Sequence, residues 1–167
     1  MYLTATKLQH EVRRLNSRYW NEGWKYRWEY MSYVIGLLKS IRAKNILEAG
    51  CNGIPLKSDS YQIELDKKNI VTGRGRVMDL NETPYSIPDK NFDAAVALQV
   101  WEHLDNQTKA FQEFCRISKH IILSFPYKWN HGDDRHRGID EEKIAEWTCN
   151  KKPISVHKIK TRIVYFW

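Results

Sequence analysis

Short apolar runs bounded by glycine, proline or polar residues recur along the chain and predict the strands of a buried sheet. The run at residues 92–98 is almost wholly apolar, as a strand covered on both faces is. Two apolar segments near the C-terminus leave no room for a helix between them, so they must pair antiparallel. The predicted strands span residues 45–50, 60–65, 76–80, 92–98, 120–125, 156–159 and 162–167.

Four other segments carry the signals of helices. In the second of them, Trp28, Met31, Ile35 and Leu38 recur at intervals of three or four residues and so share one face. In the fourth, Asp140 is placed to cap the free amide groups of the first turn. The predicted helices span residues 2–18, 25–42, 108–118 and 139–147.

Strands that alternate with helices or loops are typical of a mostly parallel α/β sheet. A length of 167 residues suits one domain with a single core. We divide this domain into an N-terminal helical cap (1–43), a ligand-binding core (44–127) and a C-terminal part with a substrate loop and closing strands (128–167). Sheets of this kind bind ligands beyond the carboxyl ends of their strands, where the strand order reverses.

Charge is distributed unevenly along the chain. The net charge is +6 for residues 1–47, −4 for residues 48–150 and +5 for residues 151–167, which together make the overall +7. Basic ends attract nucleic acid, an anionic membrane surface or acidic small molecules. Solvated, lysine-rich ends explain the same pattern, and we favour that interpretation.

Cysteine usage and hydropathy bear on the compartment. Cys51, Cys115 and Cys149 form no CxxC pair and cannot all be disulfide-bonded within the chain. No apolar run approaches the roughly 18–20 residues that a membrane span needs, and the N-terminus lacks the apolar core of a secretory signal. We therefore expect a cytoplasmic protein without a membrane span.

Candidate ligand-binding residues stand at the ends of the first three predicted strands. The first strand ends in Glu48 and Gly50, and a glycine there lets a ligand approach the backbone. The pattern is not the GxGxxG fingerprint, which disfavours a nicotinamide enzyme. At the second strand Glu64 could bind a ribose diol, with Asp66 as a rival, and at the third Asp79 could accept from an exocyclic amine such as that of adenine.

Four segments in this order resemble the class I S-adenosylmethionine-dependent methyltransferases, type 11. Ile46–Cys51 resembles the family's first motif, Glu64 its ribose-binding acid, and Val77–Leu80 the segment that contacts adenine. Phe92–Leu104 is similar to the family's FDxVxxxxVLEHL segment, the most specific of these matches. The resemblance implies an enzyme with a three-layer Rossmann-like fold and S-adenosyl-L-methionine as cofactor. It implies cofactor contacts from Glu48, Gly50, Cys51, Asn52, Gly53, Glu64, Asp79, Leu80 and Gln99.

The chain departs from the family pattern in its glycine loop. Asn52 and Ile54 stand where the second and third glycines usually lie, although asparagine tolerates positive φ. The interval between Glu48 and Glu64 is short. We therefore expect the first crossover helix to be stunted, or replaced by a loop around Pro55.

Candidate bases follow the fourth and fifth predicted strands. Methyl transfer to a hydroxyl requires alignment of the acceptor and removal of a proton. Histidine suits proton removal near neutral pH, and His103, with Glu102 beside it, could instead be a structural residue at a helix start. The predicted catalytic residues are His103, Tyr127 and His131.

The polar loop after the fifth strand also contains residues with the chemistry of metal ligands, namely His131, Asp133, Asp134 and His136. Their spacing matches no established signature, and Arg135 and Arg137 would repel a cation. We therefore predict no metal site. We expect these arginines, with Lys128, to recruit an anionic or sugar substrate.

These features favour an S-adenosylmethionine-dependent methyltransferase that acts on oxygen in a small molecule, a sugar or a glycan precursor. A first alternative is an RNA methyltransferase, drawn to its substrate by the basic ends, whose affinity would fall steeply with salt. A second alternative is a degenerate relative that serves as a binding subunit and has no affinity for the cofactor.

Overall fold

Seven strands form one sheet in the part of the chain that the computed structural model describes, residues 1–14, 27–129 and 133–167. In chain order they are β1 (Ile46–Ala49), β2 (Tyr61–Glu64), β3 (Gly75–Val77), β4 (Phe92–Leu98), β5 (Ser118–Pro126), β6 (Ser155–Ile159) and β7 (Arg162–Phe166). Across the sheet their order is β3-β2-β1-β4-β5-β7-β6. All seven strands predicted from the sequence are present, with small shifts at their ends.

The direction of the strands explains where a ligand can bind. The pairs β3–β2, β2–β1, β1–β4 and β4–β5 are parallel, whereas β7 runs antiparallel to both β5 and β6. The prediction of an antiparallel C-terminal pair is thus confirmed. Chain order reverses at β1, which has β2 on one side and β4 on the other, so a crevice opens at the carboxyl ends of these strands.

Helices cover both faces of the sheet and confirm the three-layer arrangement. They are α1 (Ala5–Arg14), α2 (Arg27–Ser40), α3 (Gln107–Ile117) and α4 (Glu141–Trp147). On one face, Val34 and Leu38 of α2 are fully buried in a cluster with Ile46 of β1. On the other face, Phe114 of α3 is buried in a cluster with Leu47 of β1. Ile46 and Leu47 pack on opposite faces of the sheet because successive side chains of a strand point in opposite directions.

The helix predictions hold where they can be compared. The helix predicted over residues 2–18 begins at Ala5, and its last predicted residues lie outside the described part of the chain, as does the predicted start of α2. The carboxylate of Asp140 accepts a hydrogen bond from the backbone N–H of Lys143 at 2.9 Å, so Asp140 caps α4 as expected. Among the described helices, none is long and apolar enough to cross a membrane.

A buried carboxylate organises the connection from β1 to β2. The described residues 50–60 contain turns and no helix, which confirms that the first crossover helix is replaced by a loop. Glu48 is almost fully buried, and its carboxylate accepts hydrogen bonds from the backbone N–H groups of Leu56 at 2.8 Å and Lys57 at 3.2 Å. Burial raises the pKa of Glu48 to about 7. Glu48 therefore holds the loop against the sheet.

Replacement of Glu48 with alanine should destabilise the protein, because the two loop amides would lose their acceptor. We expect Glu48→Ala to lower the free energy of unfolding by about 1–3 kcal/mol, as an unsatisfied buried donor does. Urea denaturation followed by circular dichroism measures this change. Glu82→Ala removes an exposed carboxylate and is the matched control. Equal stability of the two variants would contradict the role given to Glu48.

Candidate functional site

A cleft of about 360 Å³ opens at the carboxyl ends of β1, β2, β3 and β4. Its volume lies within the range of small-molecule sites. Six of the nine residues predicted to contact the cofactor line it, namely Gly50, Asn52, Glu64, Asp79, Leu80 and Gln99. His103, one of the predicted catalytic residues, lines the same cleft.

The loop after β1 adopts the left-handed backbone conformation at three positions. Gly50, Asn52 and Gly53 have φ values of 67°, 49° and 81°. Asn52 thus takes the positive φ that its residue type tolerates. A Cβ atom on Gly50 would lie 2.5 Å from Cγ2 of Val100, whereas a Cβ atom on Gly53 would meet nothing within 4 Å. The need for glycine at position 50 therefore comes from Val100 as well as from the backbone conformation.

Glu64, at the end of β2, is tied to this loop. Its Oε1 accepts a hydrogen bond from the backbone N–H of Asn52 at 3.0 Å, and its side chain is also hydrogen-bonded to Cys51. Burial raises the pKa of Glu64, while these hydrogen bonds oppose the rise. The carboxylate is thereby held at the wall of the cleft, where it can accept from the hydroxyls of a ribose.

Asp66, the rival to Glu64, has a different role. Its carboxylate accepts from the backbone N–H of Lys68 at 3.0 Å, and it pairs with the Lys68 ammonium group at 2.7 Å. Asp66 is exposed and caps the short 3₁₀ turn Lys67–Asn69. Although it also lines the cleft, its carboxylate is exposed and paired with a lysine, whereas the side chain of Glu64 is buried.

Asp79 is held by a neighbour that sequence reasoning overlooked. Oδ1 of Asp79 accepts from the backbone N–H of Asn81 at 2.9 Å and from its side-chain amide at 3.0 Å. The side-chain oxygen of Asn81 in turn accepts from the N–H groups of Asp105 and Asn106, at 2.8 Å and 3.2 Å. Asn81 thus joins the end of β3 to the segment that follows β4. The sequence signal that could have identified Asn81 is a polar residue two positions after Asp79.

Gln99 begins the polar turn after β4 and is also anchored. Its backbone φ is 59°, which is uncommon for a residue other than glycine and is found most often at functional sites. Its side-chain amide donates to Oγ of Ser124 on β5 at 3.0 Å. The turn that follows, Trp101–His103, is a 3₁₀ helix with Trp101 and Glu102 buried. This anchoring fixes the place of His103 at the rim of the cleft.

His103 faces residues from the loop after β5. Its ring lies 5.0 Å from the ring of His136, in an edge-to-face arrangement. Nδ1 of His136 is 2.5 Å from Oδ1 of Asp133. Burial lowers the pKa of His103, and the charge of His136 lowers it further. These effects favour the neutral form of His103, which is the form that can accept a proton.

Glu102 lies beside His103 in a buried setting. Burial raises the pKa of Glu102 to about 8, while the positive charges of Arg162 and Arg27 oppose the rise. Sequence order alone did not indicate that Arg27, at the start of α2, and Arg162, at the start of β7, would lie near this carboxyl group.

Other predicted site residues lie away from the cleft. The hydroxyl of Tyr127 is hydrogen-bonded to Glu141 and, at 2.9 Å, to the Lys158 ammonium group. His131 lies outside the described residues. Glu48 and Cys51 line a small cavity of about 30 Å³ that shares Gly50 and Asn52 with the cleft. Gly53 shapes the loop without lining the cleft.

The strand order, the reversed β7 and the acids at the ends of β2 and β3 define a class I Rossmann-like methyltransferase fold. A family model described as "Methyltransferase domain" matches residues 35–120, which is about half of the chain. The chain belongs to this family and is an S-adenosylmethionine-dependent enzyme. No curated protein sequence matches it.

Solved structures share the fold at low sequence identity. A SAM-dependent methyltransferase from Aquifex aeolicus is 14% identical, with a TM-score of 0.63 over 95% of this chain and 96% of that one. A protein from Pyrococcus horikoshii is 13% identical, with a TM-score of 0.66 over 91% and 92%. The methyltransferase domain of bacterial CtHen1 is 21% identical, with a TM-score of 0.58 over 82% and 95%.

The described residues fit S-adenosylmethionine. Glu64 offers an acceptor for the ribose hydroxyls and Asp79 one for the adenine amine. The side chain of Leu65 is 74% exposed at the wall of the same cleft, which leaves an apolar surface for the adenine ring. Gly50 places no side chain at the wall of the cleft, so a ligand can approach the backbone there.

Substitution of Gly50 should abolish cofactor binding, because any Cβ atom there collides with Val100 and forces a strained φ. We expect Gly50→Ala, and more so Gly50→Val, to weaken binding of S-adenosylhomocysteine by at least about tenfold in a calorimetric titration. Gly53→Ala is the matched control, since it carries the positive φ without the collision. Thermal unfolding shows that each variant is folded. The same loss in Gly53→Ala would refute the collision as the cause.

Glu64 and Asp66 can be separated by a pair of substitutions. Glu64→Gln removes the charged acceptor and should weaken S-adenosylhomocysteine binding by about 1.5–3 kcal/mol, the range for a hydrogen bond to a charged group. Asp66→Asn should leave the affinity within about twofold of the wild type, because Asp66 serves as a cap. The opposite ranking in the same titration would assign the ribose to Asp66.

Proposed function

We propose that the protein transfers a methyl group from S-adenosylmethionine to a hydroxyl oxygen of a small molecule, a sugar or a glycan precursor. The observation that carries this proposal is the place of His103 at the rim of the cofactor cleft, where its surroundings favour the neutral form of the ring. Bound S-adenosylmethionine supplies an electrophilic methyl group. A hydroxyl acceptor must lose its proton as it accepts that group, and His103 is placed to activate it.

Different residues of the cleft bind the methyl donor and activate the acceptor. The loop from Gly50 to Gly53 and the acids Glu64 and Asp79 hold the methyl donor, and they fix its position relative to the turn that carries His103. This fixed orientation is the main contribution that a methyltransferase can make, because an in-line displacement depends on alignment. Tyr127, whose hydroxyl is bonded to Glu141 and Lys158, would support the substrate loop rather than act on the acceptor.

The surroundings of His103 support a small, hydroxylated acceptor. The ring of Trp129 lies 6.2 Å from that of His136, and the guanidinium group of Arg162 stacks over Trp129 at 4.2 Å. An aromatic surface bordered by polar groups can pack against the ring of an acceptor and bind its hydroxyls. Lys128 and Arg137 are exposed on the same segment and could contact an anionic part of the acceptor.

An RNA acceptor is the second candidate, and the basic ends of the chain favour it. Part of that positive charge is neutralised within the described residues. Lys158 pairs with Glu141 at 3.3 Å, and Lys160 pairs with Glu29 at 3.1 Å. Acceptor binding that weakens steeply between 50 and 200 mM salt would support RNA, whereas a neutral sugar would bind equally at both concentrations.

The proposed compartment and division of the chain follow the same argument. Cys51, Cys115 and Cys149 are all free, which supports a reducing, cytoplasmic setting. We assign residues 1–43 to a helical cap, residues 44–127 to cofactor binding and residues 128–167 to the acceptor loop and closing strands.

Substitution of His103 tests the proposed role directly. We expect His103→Ala to bind S-adenosylhomocysteine like the wild type but to turn over at least about 100-fold more slowly, as loss of acid–base assistance does. Turnover is measured as formation of S-adenosylhomocysteine with a panel of nucleotide sugars, monosaccharides, phenols and short RNA. His157→Ala is the control, since that ring stacks on Tyr33 away from the cleft. Unchanged turnover would remove His103 from the mechanism.

A further inference from the structure

Three side chains with metal-binding chemistry converge at the rim of the cofactor cleft. A carboxylate oxygen of Glu102 and one ring nitrogen each from His103 and His136 lie within 4.8 Å of one another. Glu102 and His103 come from the turn after β4, whereas His136 comes from the loop after β5. This set shares His136 with the loop residues that were considered in the sequence, and folding adds Glu102 and His103 from the turn after β4.

A second observation points to a ligand in this cluster. Oε2 of Glu102 is buried and has no hydrogen-bond partner among the residues that the structure describes, and Glu102 as a whole is only 4% exposed. A buried carboxylate oxygen without a partner is costly, and such groups are usually satisfied by a hydrogen bond or an ion. A cation between Glu102 and the two histidines would supply the missing partner.

The neighbours of the cluster resemble those of a metal site. The Asp133 carboxylate lies 2.5 Å from Nδ1 of His136, which orients the ring and leaves Nε2 available. Histidine ligands usually have a carboxylate or carbonyl on their other nitrogen in this way, and that partner fixes the tautomer. The hydrogen bond therefore gives His136 the geometry of a ligand before any cation binds.

The charges around the cluster are mixed. The positive charges of Arg27 and Arg162 act on Glu102, and that of Arg135 acts on His103. Asp133 contributes a negative charge to both histidines and to Glu102. Arg135 is exposed, so solvent screens its repulsion of a cation. Arg27 and Arg162 would repel a cation, and the negative charge of Asp133 offsets part of that repulsion.

We propose that Glu102, His103 and His136 bind one divalent first-row transition-metal cation at the rim of the cofactor cleft. Two imidazoles and one carboxylate suit manganese, iron, cobalt or zinc better than magnesium or calcium, which prefer oxygen ligands. Three protein ligands leave coordination positions open, as catalytic sites do.

The cation has a consequence for the reaction, and this step rests on the function proposed above. A cation at the rim would bind the acceptor hydroxyl beside the methyl donor and lower the pKa of that hydroxyl, so its proton can pass to water. The oxygen then forms its bond to the methyl carbon as the carbon–sulfur bond of the donor breaks, giving S-adenosylhomocysteine. His103 would act as a ligand of the cation rather than as a free base.

Cobalt titration of metal-free protein without an affinity tag tests the site. We expect one Co²⁺ per chain, with the visible absorption bands of a histidine- and carboxylate-ligated ion, and competition by Zn²⁺ and Mn²⁺ but not by Mg²⁺. His136→Ala and Glu102→Gln should each weaken binding at least about 100-fold. Asp133→Asn, which removes the carboxylate that orients the His136 ring, should weaken it about 10- to 100-fold. His157→Ala should bind like the wild type.

Two outcomes would overturn the proposal. One is the absence of stoichiometric Co²⁺ binding by folded protein. The other is Co²⁺ binding that does not depend on His136, either because His136→Ala still binds or because His157→Ala loses as much affinity as His136→Ala. S-adenosylhomocysteine titration of the same metal-free protein keeps the two proposals apart, because donor binding without Co²⁺ binding would overturn the cation alone. Turnover that persists in chelator-treated protein would show that the reaction does not need the cation, and His103 would then act as the base.

Discussion

The carboxylate of Glu48 is the contact on which the rest of the site depends. In most α/β units a crossover helix would follow β1 and bury one face of the sheet. Here a loop does so, and its backbone N–H groups need an acceptor inside the protein. Glu48 provides that acceptor for Leu56 and Lys57, and the apolar side chains of the same loop pack below α2. The positions of Gly50, Asn52 and Glu64 follow from a loop that is closed in this way.

The cofactor half of the site could be predicted from the sequence because it depends on strand ends. A residue at the carboxyl end of a parallel strand lies at the same edge as its counterparts on neighbouring strands, so Glu64 and Asp79 could be placed without knowing any loop. Glu48 shows the limit of that argument. Its position at a strand end predicted a cofactor contact, and gave no sign that its carboxylate would also accept hydrogen bonds from two amides of the following loop.

The acceptor half could be predicted less well because it depends on long-range folding. His103 was identified because it follows β4 directly. Its approach to His136 depends on how the loop after β5 turns back, and hydropathy does not encode that path. The hydrogen-bonding partners of Tyr127 and Asn81 could not be predicted for a related reason. These partners lie far along the chain or in another loop, such as Lys158 for Tyr127 and Asp105 for Asn81.

The pairing of β5 with β7 has a consequence for biosynthesis. During translation β5 emerges well before β7, and until β7 arrives one edge of β5 lacks its hydrogen-bonding neighbour. An unpaired apolar edge is an aggregation hazard for a nascent chain. Arg162, whose charge acts on the buried Glu102, is the first residue of β7. Formation of the strand pair that protects this edge thus also brings the guanidinium group of Arg162 into the neighbourhood of Glu102.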